Sequence, residues 1–198
     1  MKLKELIIEL GVENLAPFHF VDNLEDREYA KCKHMSDEEL KDYKNGFYDK
    51  NKIYNESELG IYFIDTNING LYNMAIDTNP EFVNQMINEI SYYIKVDFKY
   101  KSIIYVTYAI LHEIGHWINF KKSNMSSLEY SIWDSKYRRE VIKISNKIKE
   151  MNDMDPYKHI YSNECNQMYK EIPSEKEANK FAFGNIKFYL NKIGVPTE

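Results

Sequence analysis

The alternation of apolar and polar positions divides the chain into short segments with different periods. Lys2 to Leu10 has helical spacing and stops at Gly11, and Pro17 then breaks the chain. Glu25 to Lys44 is charged and reads as helical in two pieces, divided near Ser36-Asp37, where Ser36 and Glu39 offer a capping box. Phe47 to Tyr54, Gly60 to Ile64 and Leu71 to Asp77 read as strands, the last two joined through Asn69-Gly70, a hairpin-turn signal. Pro80 to Ile94 reads as a helix opened by an Asn79 cap. A strongly apolar run, Ile103 to Phe120, follows with helical spacing. Next comes Ser126 to Met151, rich in Lys and Glu, with Leu128, Ile132, Val141, Ile144 and Ile148 for its buried side. After a loop around Pro156, a last helix is signalled by Pro173 and by Ser174 with Glu177 as a capping box. Ala178, Ala182, Ile186, Tyr189 and Ile193 give it a core face. These elements predict an α+β class: a mostly helical body with a small antiparallel sheet beside the 103–120 helix.

The apolar run carries the one stretch that names a chemistry, His112-Glu113-Ile114-Gly115-His116. Residues four apart share a helix face, so both imidazoles can bind one metal ion. Glu113 sits one position on and can reach a water in the metal's open position as a general base. On a helical wheel Ile103, Val106, Ile110, Ile114 and Trp117 form an apolar stripe, with His112, His116, Tyr105 and Ala109 on the other side. Gly115, inside a helix at a cost in stability, implies that another backbone passes close by.

A catalytic zinc takes three protein ligands and leaves one position for water. Downstream, Glu175 and Asn179 share a face of the last helix. Glu175 is the natural third ligand, and Asn179 can hold a ligand side chain from outside the metal's own shell. Glu177 is the rival, but the capping box already gives its carboxylate a backbone N–H to accept. Glu164, Cys165, Glu171 and His159 lack a supporting pattern. Tyr169, Tyr161 and His159, just before the last helix, lie in the right region to donate to an oxyanion, and nothing singles one of them out.

Residues 103 to 190 resemble the ImmA/IrrE family of zinc metallopeptidases, grouped with the gluzincins. The resemblance rests on His112-Glu113-Ile114-Gly115-His116 and on Glu175-Lys176-Glu177-Ala178-Asn179-Lys180-Phe181-Ala182, which follows a proline-containing turn. It implies a zincin-like fold, one zinc ion on His112, His116 and Glu175, and Glu113 as catalytic base. It also implies a protein substrate, a helix-turn-helix repressor of the kind encoded beside such proteases on mobile elements. The chain departs from the pattern in one respect: 58 residues separate His116 from Glu175. The insert, with its helix near 126–151, leaves the ligand set intact but is placed to line or cover the cleft.

Length and composition support a single domain over 1–198, which the resemblance makes a metallopeptidase domain, with helices and sheet in 1–100 and the metal-binding helices in 101–190. The 198 residues suffice for one domain with a core. A net charge of −5 disfavours direct nucleic-acid binding. No run is apolar enough to span a membrane, and the first residues lack the apolar centre of a signal peptide. Two distant cysteines, Cys32 and Cys165, argue against a disulfide framework, so a cytoplasmic setting is expected. The abundance of Lys, Asn, Ile and Tyr suggests an AT-rich bacterial or phage genome. The leading expectation is a zinc endopeptidase. The alternative is a non-catalytic interaction protein whose metal is closed by a fourth ligand, Cys165 or His159.

Overall fold

The structure, a computed structural model, describes residues 1–24, 28–152 and 155–197. Eight α-helices and three strands are formed among them: α1 (Leu3–Leu10), β1 (Phe18–Val21), β2 (Ala30–Lys33), α2 (Asp37–Lys44), β3 (Gly60–Ile64), α3 (Ile68–Thr78), α4 (Pro80–Ile94), α5 (Lys101–Lys122), α6 (Ser127–Glu150), α7 (Pro156–Lys170) and α8 (Pro173–Lys192). The fold is α+β and mostly helical, as the sequence pattern predicts. No helix among the described residues is long and apolar enough to cross a membrane.

The caps explain several boundaries. Gly11 takes the left-handed conformation that ends α1. Ser36 and Asn79 accept backbone N–H groups at the starts of α2 and α4. Ser126 and Glu129 form the capping box of α6.

The sheet is mixed and not antiparallel throughout. In the order β1-β3-β2, β1 runs parallel to β3 and β2 antiparallel to it, with Phe18 and Cys32 both opposite Ile61. β2 occupies a segment whose charge pattern reads as helix. Its pairing with β3 overrides that local preference. Residues 25–27 of the same expected helix lie outside the described residues. Phe47 to Tyr54 forms no strand, because Asp49 accepts the N–H of Asn51 at 2.9 Å and folds the segment into a turn.

Leu71 to Asp77 belongs to α3, not to a strand. Asn67 accepts the Gly70 N–H at 2.8 Å and caps a helix, so Asn69-Gly70 makes no hairpin turn. The last strand before α5 is β3, and both β2 and β3 pack against that helix, β2 more extensively. Pro156 begins α7 at its first helical position, where a missing N–H costs nothing.

The core gathers around α5. Val106, Ile110 and Ile114 are fully buried, as the apolar stripe predicts, but so are Ile104, Tyr105 and Leu111 on other sides of the helix. This helix is central, with α3, α4, α8 and the sheet around it, so the expected two-faced division holds only at its metal-binding end. The most extensive packing is between α5 and α8, whose inner face is Ala178, Ala182, Ile186 and Leu190. Tyr189 and Ile193 are only half-buried. In α6 the buried anchors are Tyr130 and Val141, while Ile132 is half-exposed.

Candidate metal centre

His112 and His116 lie one turn apart on α5, and Glu175 lies in the first turn of α8. What brings them together is Gly115. A Cβ at that position would stand 2.7 Å from the Ala178 Cα and 2.9 Å from its carbonyl oxygen. Only the bare backbone lets α8 cross this closely, one turn beyond Glu175.

The three side chains converge on one point. The two Nε2 atoms are 3.1 Å apart, Glu175 Oε2 is 3.2 Å from His112 Nε2, and Glu175 Oε1 is 3.4 Å from His116 Nε2. Four ligands about 2.0–2.1 Å from a tetrahedral zinc stand roughly 3.3 Å from one another. The spacing therefore suits one ion. Glu175 is 1% exposed, and its buried Oε2 has no aligned hydrogen bond. A buried carboxylate that faces two imidazole nitrogens and keeps one oxygen without an aligned hydrogen bond could hold a metal ion. Among the described residues, His112, His116 and Glu175 form the one group of this kind.

Burial works against a charged Glu175, but His116 and His112 outweigh it and hold the carboxyl well below the usual carboxylate range. Burial also pulls His116 down, and Glu175 more than reverses this and raises it. Glu177, the rival ligand, is exposed and lies 4.0 Å from Lys180. The capping box expected to hold it is not formed. Ile172 is the cap, Pro173 is the first helical residue, and the Ser174 hydroxyl is turned inward to donate to Asp134. Asn179 reaches the centre indirectly. Its Oδ1 accepts from the Tyr108 hydroxyl, and the Tyr108 ring packs against His112 at 5.7 Å.

The insert supplies what the sequence pattern does not reveal. Arg138 of α6 donates to Glu175 Oε1 at 2.5 Å. Its Nε donates to Asp134, and Asp134 also accepts the hydroxyl of Ser174, the neighbour of Glu175. The only signal for this pair is the i,i+4 spacing of Asp134 and Arg138, which any solvated helix face also shows.

Tyr169 is the one of the three candidate donors that lies here, with its ring 5.7 Å from the Arg138 guanidinium. Burial, then Glu175, pushes its phenol well up, so it keeps its proton. His159 is exposed, 3.9 Å from Glu81, and Tyr161 lies under Lys147. Cys165 points its sulfur at the Val141 carbonyl, 3.7 Å away. Neither proposed fourth ligand, Cys165 or His159, belongs to the metal-binding group.

Glu113 is half-buried where two cavities meet. One, about 270 Å³, is walled by Tyr29, Phe82, Tyr105, Tyr108 and Ala109, with His112 on the same wall. The tyrosine hydroxyls are satisfied among themselves and by Asn179: Tyr29 and Tyr105 stand 2.6 Å apart. The other cavity, about 390 Å³, is polar, with Lys31, Cys32, His34, Asp134 and Arg138 around His116 and Glu175. Both share Ala30 of β2 and Tyr169. The arrangement can hold one divalent cation beside a carboxylate in a cleft bordered by an edge strand. Comparison of the chain with models of known protein families, with curated proteins and with solved structures finds no match.

Proposed function

We propose that this protein is a zinc-dependent endopeptidase of the ImmA/IrrE kind, cytoplasmic and acting on a protein substrate. The observation that carries the reading is the His112, His116 and Glu175 group with Glu113 beside it in an open cleft. Two nitrogens and one carboxylate oxygen form the donor set of His₂Glu catalytic zinc sites. Zinc held there would polarise a peptide carbonyl and lower the pKa of a water.

The remaining steps belong to the chain. Glu113, one residue from His112 yet outside the ligand group, takes the proton from the attacking water and passes it to the departing amine. Tyr169, protonated, faces the centre and offers a donor to negative charge developing there. Among the described residues β2 has β3 on one side only, so its other edge can pair with an extended peptide laid across the cleft. A helix-turn-helix repressor is the substrate class that the family resemblance suggests. The closed-site alternative is disfavoured by the positions of His159 and Cys165.

Glu113→Gln tests the reading. The variant should keep its zinc and its melting temperature, while cleavage in a library of unfolded peptides falls by about 10²–10⁴-fold, the usual worth of general acid–base catalysis. Equal cleavage by variant and parent, or none by the zinc-loaded parent, would refute it.

A further inference from the structure

A carboxylate can bind zinc through one oxygen or both, and with a water on the ion the choice decides whether the zinc is four-coordinate or five-coordinate. Here the two oxygens of Glu175 have different surroundings. Oε1 accepts from Arg138 at 2.5 Å and lies 3.4 Å from His116 Nε2, while Oε2 lies 3.2 Å from His112 Nε2 and accepts no aligned hydrogen bond. Arg138 is itself fixed. Asp134 holds its Nε, the Ser174 hydroxyl lies 3.4 Å from the nitrogen that donates to Glu175, and the ring of Tyr169 covers the guanidinium. Because Ser174 also donates to Asp134, the contacts close into a ring joining α6 to the first turn of α8. Such a ring fixes the tilt of the carboxylate as well as its charge.

We infer that Arg138 is a positioning residue that makes Glu175 a one-oxygen ligand, and so keeps the metal four-coordinate, with three protein ligands and one position for water or substrate. The inference rests on the metal-binding part of the proposed function and not on peptide cleavage. It assigns a role in the metal site to the helix that lengthens the chain between His116 and Glu175. An arginine suits the task better than a lysine, because its planar fork can hold Asp134 and Glu175 at once.

The test reads the zinc and needs no substrate. X-ray absorption at the zinc edge of the parent should show four light-atom ligands, with Glu175 contributing one oxygen. In Arg138→Met, Glu175 is free to turn both oxygens to the ion, so the coordination number should rise to five and the mean ligand distance lengthen. Zinc affinity, by competition with a chelator, should fall by about 10–100-fold, the usual cost of losing a partner that orients a metal ligand. Arg138→Lys keeps a charged donor for Oε1 and should retain four-fold coordination. A parent whose Glu175 already binds through both oxygens overturns the inference with no variant needed. So does an Arg138→Met protein with unchanged coordination, or with affinity equal to or above the parent's, which would make Arg138 a mere counter-charge. Should Arg138→Met not fold, the parent and Arg138→Lys decide: a five-coordinate lysine variant refutes the charged-donor account. A parent that binds four-coordinate zinc yet cleaves nothing would sink the peptidase reading alone.

Discussion

At the scale of single residues, the site depends on side chains that burial keeps in one protonation state. His34 is the clearest case. Its ring lies between Phe120 and Tyr130, with centroids 5.0 and 4.8 Å away, and its Nε2 is 3.2 Å from the Cys32 sulfur. Burial, reinforced by the charge of His116, pulls its pKa down to about 3. An unfolded histidine titrates near ~6.5. Between these values the unfolded chain takes up a proton that the folded chain refuses. The contribution of His34 to stability is therefore full above the upper value and is lost as pH falls through the window, by up to about 1.4 kcal/mol per pH unit. His34→Phe keeps an aromatic ring there and removes the titration. Urea midpoints from pH 7 to pH 4 should fall more steeply for the parent than for the variant, and parallel lines would show that His34 is protonated in place. None of this is visible from the sequence, where His34 is one histidine in a charged stretch. By contrast His112, Glu113 and His116 were legible because their spacing alone sets their geometry on a helix.

At the scale of elements, legibility followed whether a signal was local or depended on a partner. The helices α4, α5 and α6 were readable because their caps and periods lie within their own residues. The strand β2 was not, since only β3 makes it a strand. Asn69-Gly70 misled because the same dipeptide suits a turn and, with Asn67 before it, the first turn of a helix. Arg138 was hidden for the same reason: its role is set by Glu175, 37 positions away. Gly115 lies between these cases, since a glycine inside a helix announces a close neighbour without naming it. The neighbour is Ala178, and the magnitudes can be weighed. Gly115→Ala gains up to about 1 kcal/mol in helix propensity. It also drives a methyl into the backbone of α8, and overpacking of this kind costs about 1–3 kcal/mol. The clash should win, so the denaturation midpoint should fall. Zinc affinity should fall with it, because α8 carries Glu175. Gly184→Ala, also inside α8, has no atom within 4 Å of the new methyl and should instead raise the midpoint without touching the metal. If both variants are stabilised, the α5–α8 crossing is looser than its geometry indicates.

At the scale of the whole molecule, α5 lies between two unlike halves of one cleft, and Glu113 sits at their junction. The polar half holds Arg138 and Asp134 and is taken up with keeping Glu175 in place. The apolar half is lined by aromatic rings whose hydroxyls already have partners, so it offers a ligand faces and few free polar groups. A dry cavity of ~150 Å³ is enough to take benzene. The volume beside Glu113, about 270 Å³, therefore admits an aromatic or long aliphatic side chain. Under the peptidase reading, that side chain belongs to a residue flanking the scissile bond, since His112 and Glu113 share the same wall. Ala109, nearly buried one turn before Glu113, sets the width of the cavity. Ala109→Leu should fill it while leaving His112, His116 and Glu175 to bind zinc as before. A pocket that has lost room for a few methylene groups discriminates by about 10–200-fold for each group it must reject. In a peptide library analysed by mass spectrometry, the parent should favour sites with Phe, Leu or Met beside the cut bond. The leucine variant should lose those sites by at least about ten-fold in kcat/KM and retain those with Gly or Ala there. A uniform loss at all sites would mean that Ala109→Leu disturbs α5 itself. An unchanged profile would place substrate specificity elsewhere, along the free edge of β2.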